Sequence, residues 1–207
     1  MARRTAEDAA RTRRDLLDAA TRLFVDEGFG TVTVDAIATA AGVTRGALYH
    51  HFPDGKPGLF DEIYRDELVR FDAEMTAAGI RAAEETGDLW EALWAGTDRY
   101  LELCTGPVFA RIAIYEAPAA LGYDRWEELD TEFSVAQFKG ILTLLMAAGE
   151  IAEEPIEPLA RVLVGAFNMA ARQIAIAEDT EAAVRDYGRV LRTLVATAAG
   201  RPDRQPD

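Results

Sequence analysis

Apolar residues recur along most of the chain at spacings of three and four, the period of an amphipathic helix rather than of a strand. Over residues 12–27, Leu16, Ala20, Leu23 and Phe24 fall on one face, and Gly28 stops the pattern. Two short patterns follow in residues 33–52. A longer one over residues 59–78 carries Leu59, Ile63, Leu68 and Phe71, with Tyr64 and Met75 beside them. From Gly87 onward, turn signals at Gly106-Pro107, Gly122, Pro155 and Pro158 divide helical runs that continue to residue 200. The pattern predicts an all-α chain of about nine helices. A three-helix unit over residues 1–56 precedes a larger helical domain over residues 57–200 and a polar tail over 201–207.

Residues 33–52, TVDAIATAAGVTRGALYHHF, carry the most specific local signals. Thr33 is placed to cap one short helix and Thr44 the next, since a threonine hydroxyl accepts from the unsatisfied N–H groups of a first turn. Between them Gly42 suits the positive φ of a tight reversal. Ala36, Ile37 and Ala40 give the first helix its inward face. Ala47 and Leu48 do the same for the second, leaving Arg45, Gly46, Tyr49 and His50 on another face. This is a helix-turn-helix pattern, whose second helix suits a DNA major groove. Phe29 and Val32 are expected to join Leu16, Phe24, Ile37 and Leu48 in a small core, too small to stand without the next helix.

The formal charge of −14 runs against a nucleic-acid partner until it is divided along the chain. Residues 1–56 hold 8 Lys+Arg and 8 Asp+Glu, and residues 57–207 hold 14 and 28. An acidic body repels phosphate, so DNA contact is confined to the neutral N-terminal unit, where Arg3, Arg4, Arg11, Arg13, Arg14, Arg45 and Lys56 lie. Residues 1–10 read as an arm whose Arg3 and Arg4 are candidates for phosphate or minor-groove contact. The acidic body also argues against anionic membranes, and no stretch approaches the roughly 20 apolar residues of a span. With Cys104 as the single cysteine and no leader-like N-terminus, a cytoplasmic protein is expected.

DLLDAATRLFVDEGF, then TVTVDAIATAAGVTRGALYHHF, then a lysine just before the next apolar run resemble the DNA-binding domain of the tetracycline-repressor (TetR) family. The chain departs from the commonest pattern of that family at the lysine: Lys56 stands four residues after Phe52, where three is usual. The resemblance implies a transcriptional regulator acting on double-stranded DNA with a palindromic operator. The most natural form is a repressor released by a small apolar or amphipathic effector; the alternatives are an activator or a ligand-independent DNA-binding regulator. Thr33, Thr44, Tyr49 and Lys56 are then candidates for phosphate contact, and Arg45 and His50 for base reading. Lys56 also lies at the start of a helix, where free N–H groups favour an anion. The run after Gly106 resembles one branch of the family without fixing an effector.

Leu159 to Ile176 is apolar or small on more than one face, and the final helix carries Val184, Tyr187, Leu191, Leu194 and Val195. Such breadth predicts burial on two sides, and the resemblance implies a homodimer through these last two helices. Aromatics on three successive helices are candidates to line an effector pocket: Trp90 and Trp94; Phe109, Ile112 and Tyr115; Trp126, Phe133 and Phe138. Asn168 and Arg172 are the polar candidates on an otherwise apolar helix. The sequence has no CxxC, HExxH, GxSxG or phosphate-binding glycine loop. His50 and His51 are adjacent and make a poor metal pair. No cofactor, metal or catalytic residue is expected.

Overall fold

The computed structural model describes the backbone of residues 2–200 and the side chains of residues 6–200. Nine helices follow one another among the described residues, with no strand: α1 (Ala2–Glu27), α2 (Val34–Ala40), α3 (Arg45–His51), α4 (Lys56–Thr86), α5 (Leu89–Cys104), α6 (residues 107–121), α7 (residues 123–147), α8 (Ile156–Ala175) and α9 (Thr180–Ala198). Two differ in extent from the sequence reading. Residues 2–10, expected as an arm, are the first turns of α1, and α4 continues past residue 78 to Thr86. The side chains of Arg3 and Arg4 and the tail after Gly200 lie outside the described residues.

Contacts divide the chain into two compact units that do not follow chain order. One holds the residues up to Glu67 together with Pro107–Trp126; the other holds Leu68–Gly106 and the residues from Glu127 onward. The expected boundary after residue 56 leaves out what the small N-terminal core needs. That core is built on Leu16, Ala20, Phe24, Ile37 and Leu48, all fully buried. Leu59 and Phe60 from the start of α4 and Phe109 and Ile112 from α6 are buried in the same unit, and α6 packs on α1. The rings of Phe24, Phe29 and Phe60 form a triangle with centroids 5.1–5.5 Å apart. Arg13 on α1 pairs with Glu62 on α4 and lies 4.7 Å over the Phe52 ring, tying the two helices together.

The second unit is a helical body with Leu101, Leu142, Leu145, Leu163, Phe167, Ile174, Leu191 and Val195 at its centre. Each such side chain, taken out of water, contributes about 1.5–3 kcal/mol. Two helices widen into π turns: α6 over Ala110–Glu116, where the Ala117 N–H reaches back five residues to the Ile112 carbonyl, and α7 over Thr131–Val135. Such widened turns are often found at functional positions.

Candidate DNA interface and ligand cavity

The first candidate site is the surface of α2, the turn and α3. Thr33 Oγ1 accepts from the Ala36 N–H and Thr44 Oγ1 from the Ala47 N–H, both at 3.1 Å. Because each hydroxyl accepts from its helix, its own O–H remains to donate outward. Gly42 takes φ of +68° in the reversal, and the Val43 N–H closes it on the Ala38 carbonyl at 2.9 Å. Leu48 is fully buried, so α3 is fixed in rotation and its opposite face, Arg45, Gly46, Tyr49 and His50, is exposed. A Cβ on Gly46 would meet only the Thr44 hydroxyl, at 3.8 Å, so the backbone at the start of α3 is open to close approach.

Arg45 is held ready rather than loose. Its guanidinium lies 5.6 Å from the Tyr49 ring centroid and 3.1 Å from an Asp35 carboxylate oxygen. Tyr49 first, then Asp35, favour its charged form and raise its pKa above the ordinary value. Both members of the Arg45–Asp35 pair are exposed, and such pairs exchange easily for another partner. The planar fork of an arginine suits guanine O6 and N7 in the major groove.

Lys56 is placed differently from the sequence expectation. Its Nζ donates to the Phe29 carbonyl at 2.6 Å and the Val32 carbonyl at 2.8 Å, and stands 4.3 Å from the Phe29 ring centroid. It braces the loop between α1 and α2. The one-residue-longer segment before it closes as a turn, with the Gly55 N–H on the Phe52 carbonyl at 2.8 Å. Arg13 and Arg11 are likewise engaged, with Glu62 and Asp8. His50 and His51 stack edge to face at 5.4 Å, and no cluster among the described residues is built to hold a metal ion.

The second candidate site is a cavity of about 320 Å³ inside the second unit. The later half of α4 (Met75, Gly79, Ala83), α5 (Ala92, Gly96, Thr97, Tyr100), α7 (Ser134, Phe138) and α8 (Phe167, Asn168) enclose it, and the exposed Ile80 and Leu144 stand at its rim. Its size and apolar walls suit a small ligand. At one end the Asn168 amide nitrogen lies 3.4–3.5 Å from both oxygens of Asp130, the residue just before the widened part of α7. Burial raises the Asp130 pKa, opposed by hydrogen bonds from Ser134 and Asn168.

Of the expected pocket residues only Asn168 and Phe138 line this cavity. Trp90 is fully buried, 5.5 Å from Trp94, and Trp94 lies under the Arg192 guanidinium at 5.1 Å. Phe109, Ile112, Tyr115 and Trp126 belong to the first unit and do not line it, nor does Phe133. Arg172 is exposed on α8. Trp90 and Trp94 fill core space, and the aromatics that bound the cavity are Tyr100, Phe138 and Phe167. The legible signal was the small residues four apart, Gly79 and Ala83 on α4 and Ala92 and Gly96 on α5. Cys104 is buried and its thiol is pushed up to about 12, so it is not a thiolate.

An exposed second helix on a capped reversal in one unit, and a helical second unit with its own cavity, define a helix-turn-helix DNA-binding regulator. Residues 16–63 match the model for bacterial regulatory proteins of the tetR family, and residues 90–198 match the tetracyclin repressor-like C-terminal domain. The chain belongs to the tetracycline-repressor family of transcriptional regulators. It is 33% identical over 183 residues to the HTH-type transcriptional repressor BepR of Brucella suis, covering 80% of this chain and 82% of that one. A TetR-family regulator from Pectobacterium atrosepticum superposes with a TM-score of 0.76 at 28% identity, covering 95% and 98%. FadR of Bacillus subtilis, solved in complex with stearoyl-CoA, shares the fold with a TM-score of 0.72 at 20% identity over 88% of this chain and 97% of that one. The family is a regulatory one, whose members bind DNA operators and are often homodimers.

Proposed function

We propose that this regulator is a repressor whose two heads read a palindromic operator and which a small apolar or amphipathic effector releases. The observation that carries the DNA part is the open face of α3, with Arg45 held by Asp35 and Tyr49 and with two hydroxyl protons at Thr33 and Thr44 left to donate. Arg45 and His50 read base edges; Thr33, Thr44, Tyr49 and the remaining Lys56 donor hold phosphates. A regulator of bacterial operators works where the chromosome is, in the cytoplasm.

A second copy is supported by a stripe that the described residues leave uncovered. Val162 and Met169 on α8 and Ile176 at its C-cap stand seven apart and are 66%, 57% and 60% exposed, with Val190 and Leu194 exposed on α9. Side chains seven apart share a helix face. A dimer paired through these helices has two copies of α3 to offer, and an operator read in successive major grooves needs them about 34–36 Å apart. The cavity supports the release step. α4 is one helix of 31 residues, beginning at Lys56 beside the DNA-reading loop and lining the cavity from Met75 to Ala83. An effector that prefers one position of this helix shifts the balance between operator-bound and released states by that difference in affinity.

The test is selection of operator fragments with the wild type and with Arg45→Ala. Loss of preference at one base pair of each half-site, about tenfold, is expected. Operator binding as tight and as selective as wild type would sink the assignment of α3.

A further inference from the structure

Residues 33–52 carry a single acidic side chain, Asp35, exposed in the first turn of α2 on the same surface as Thr33, Thr44 and Arg45. A carboxylate there repels the phosphates that the two threonine hydroxyls are placed to meet, so on charge alone it works against binding. An acidic side chain suits the first turn of any helix, but that role needs no particular neighbour, and Asp35 has one. Arg45 Nη1 donates to its Oδ1 at 3.3 Å and its Oδ2 at 3.1 Å, joining α3 to α2 across the reversal. Both contacts use the same nitrogen. The carboxylate therefore leaves the Nη2 and Nε edge of the guanidinium to another partner.

We infer that Asp35 is a specificity-determining residue that acts through Arg45: by holding Nη1 it reserves the guanidinium for a guanine edge and withholds it from phosphate. This rests on the reading of Arg45 as a base-reading residue. Guanine presents O6 and N7 and carries no charge, so the Nη2 and Nε edge takes it while Nη1 stays on the carboxylate. A phosphate presents two acceptors as well, but it brings a second negative charge beside Asp35. Either the two anions repel each other or the ion pair breaks. The Tyr49 ring, 5.6 Å from the same guanidinium, favours the cation for either partner and does not separate them. With Asp35 in place, Arg45 adds little to binding on DNA without the right guanine and its full contact on DNA with it.

The experiment measures binding of the full chain to an operator fragment selected by the wild type and to a shuffled duplex of equal length and composition, across a range of salt. Asp35→Asn removes the charge with little change of shape, and both members of the pair are exposed, so the core is untouched. Affinity for the shuffled duplex should rise by about threefold to tenfold, and the ratio of operator to shuffled affinity should fall at least about threefold. The salt slope on the shuffled duplex should steepen by about 0.9 for each head, as Arg45 gains a phosphate. Asp35→Glu keeps a carboxylate within reach of Arg45 and should hold the ratio within about twofold of wild type. In an Arg45→Ala background the gain from Asp35→Asn should drop below about twofold, because the effect runs through the arginine. An unchanged ratio in Asp35→Asn, or an equal gain with and without Arg45, overturns the role of Asp35 while leaving Arg45 as the reader. Weaker operator binding with no gain on the shuffled duplex overturns it as well, in favour of a direct base contact by the carboxylate. If Arg45→Ala alone leaves operator preference intact, the base-reading assignment falls and the role of Asp35 with it.

Discussion

Lys56→Met keeps the aliphatic stem and removes the ammonium, and the geometry around Nζ sets what that costs. Two charge-assisted hydrogen bonds disappear, to the Phe29 and Val32 carbonyls at 2.6 and 2.8 Å, along with a cation held 4.3 Å from the Phe29 ring centroid. Each bond to a charged group contributes about 1.5–3 kcal/mol net. Lys56 is half-buried, so water reaches the vacated carbonyls and returns part of that; the expected loss is about 2 kcal/mol in total. For a chain of 207 residues this lowers the melting temperature by roughly 4–8 °C. Thermal unfolding followed by far-ultraviolet circular dichroism, without DNA, measures it. A melting temperature within roughly 1 °C of wild type would refute the claim that this lysine braces the loop. The same variant separates a second role. An ammonium has three donors, two are on the loop, and the third is the one left for a phosphate. Its loss should reduce the slope of log affinity against log salt by about 0.9 for each head, about 1.8 for a dimer; an unchanged slope removes Lys56 from the DNA contacts and leaves it a brace alone.

Gly28→Ala should destabilise the first unit by more than about 1 kcal/mol in urea unfolding, because φ there is +84° and an added Cβ would strike the Arg111 guanidinium and, at 2.8 Å, Glu116. Wild-type stability would show that the Arg111–Glu116 pair is not seated on this glycine. Met169→Glu places a charge in the exposed stripe of α8 and should convert a dimer to monomer at micromolar concentration in sedimentation; a dimer that persists refutes the twofold use of that face. Burial raises the Asp130 pKa, so the folded chain holds that proton more tightly than the unfolded one. Its contribution is present below the unfolded carboxylate pKa and is lost as pH rises through the folded one. Asp130→Asn should flatten that part of the melting-temperature profile, and an unaltered profile argues against it.

The head was legible because its determinants are local. Thr33, Thr44 and Gly42 act within a few residues of themselves, and their roles as two caps and a reversal follow from residue type and position. The extent of α1 and α4 was less legible, since an apolar stripe marks where a helix is buried and not where it ends. Residues 2–10 have no such stripe. In α4 the stripe thins at Gly79, which looks like a stop, yet the helix runs on to Thr86. Gly79 answers to packing instead: a Cβ there would stand 3.1 Å from the Ala92 carbonyl oxygen, so its smallness lets α4 and α5 approach. The role of Lys56 was hidden for a related reason, because its partners are carbonyls 27 and 24 residues away.

The cavity shows the limit more sharply. Aromatic side chains are the usual sign of a ligand wall, but a residue as large as Trp90 also closes space, and here it is fully buried beside Trp94 in the core. Gly79 and Gly96 let the α4 and α5 backbones approach, and the cavity lies between this close pair and α7 and α8, which face it with Phe138 and Phe167. Small residues four apart also read as good helix formers or as tight packing, and only the partner helix decides which. Asn168 lines the cavity and Arg172 does not, although both are polar on the same apolar helix. Asn168 has Asp130 within reach and is held at the cavity end, whereas Arg172 is exposed, three residues from Met169 on the uncovered side. A half-buried polar group is informative when a neighbour fixes its orientation, and at Asn168 that neighbour is the Asp130 carboxylate.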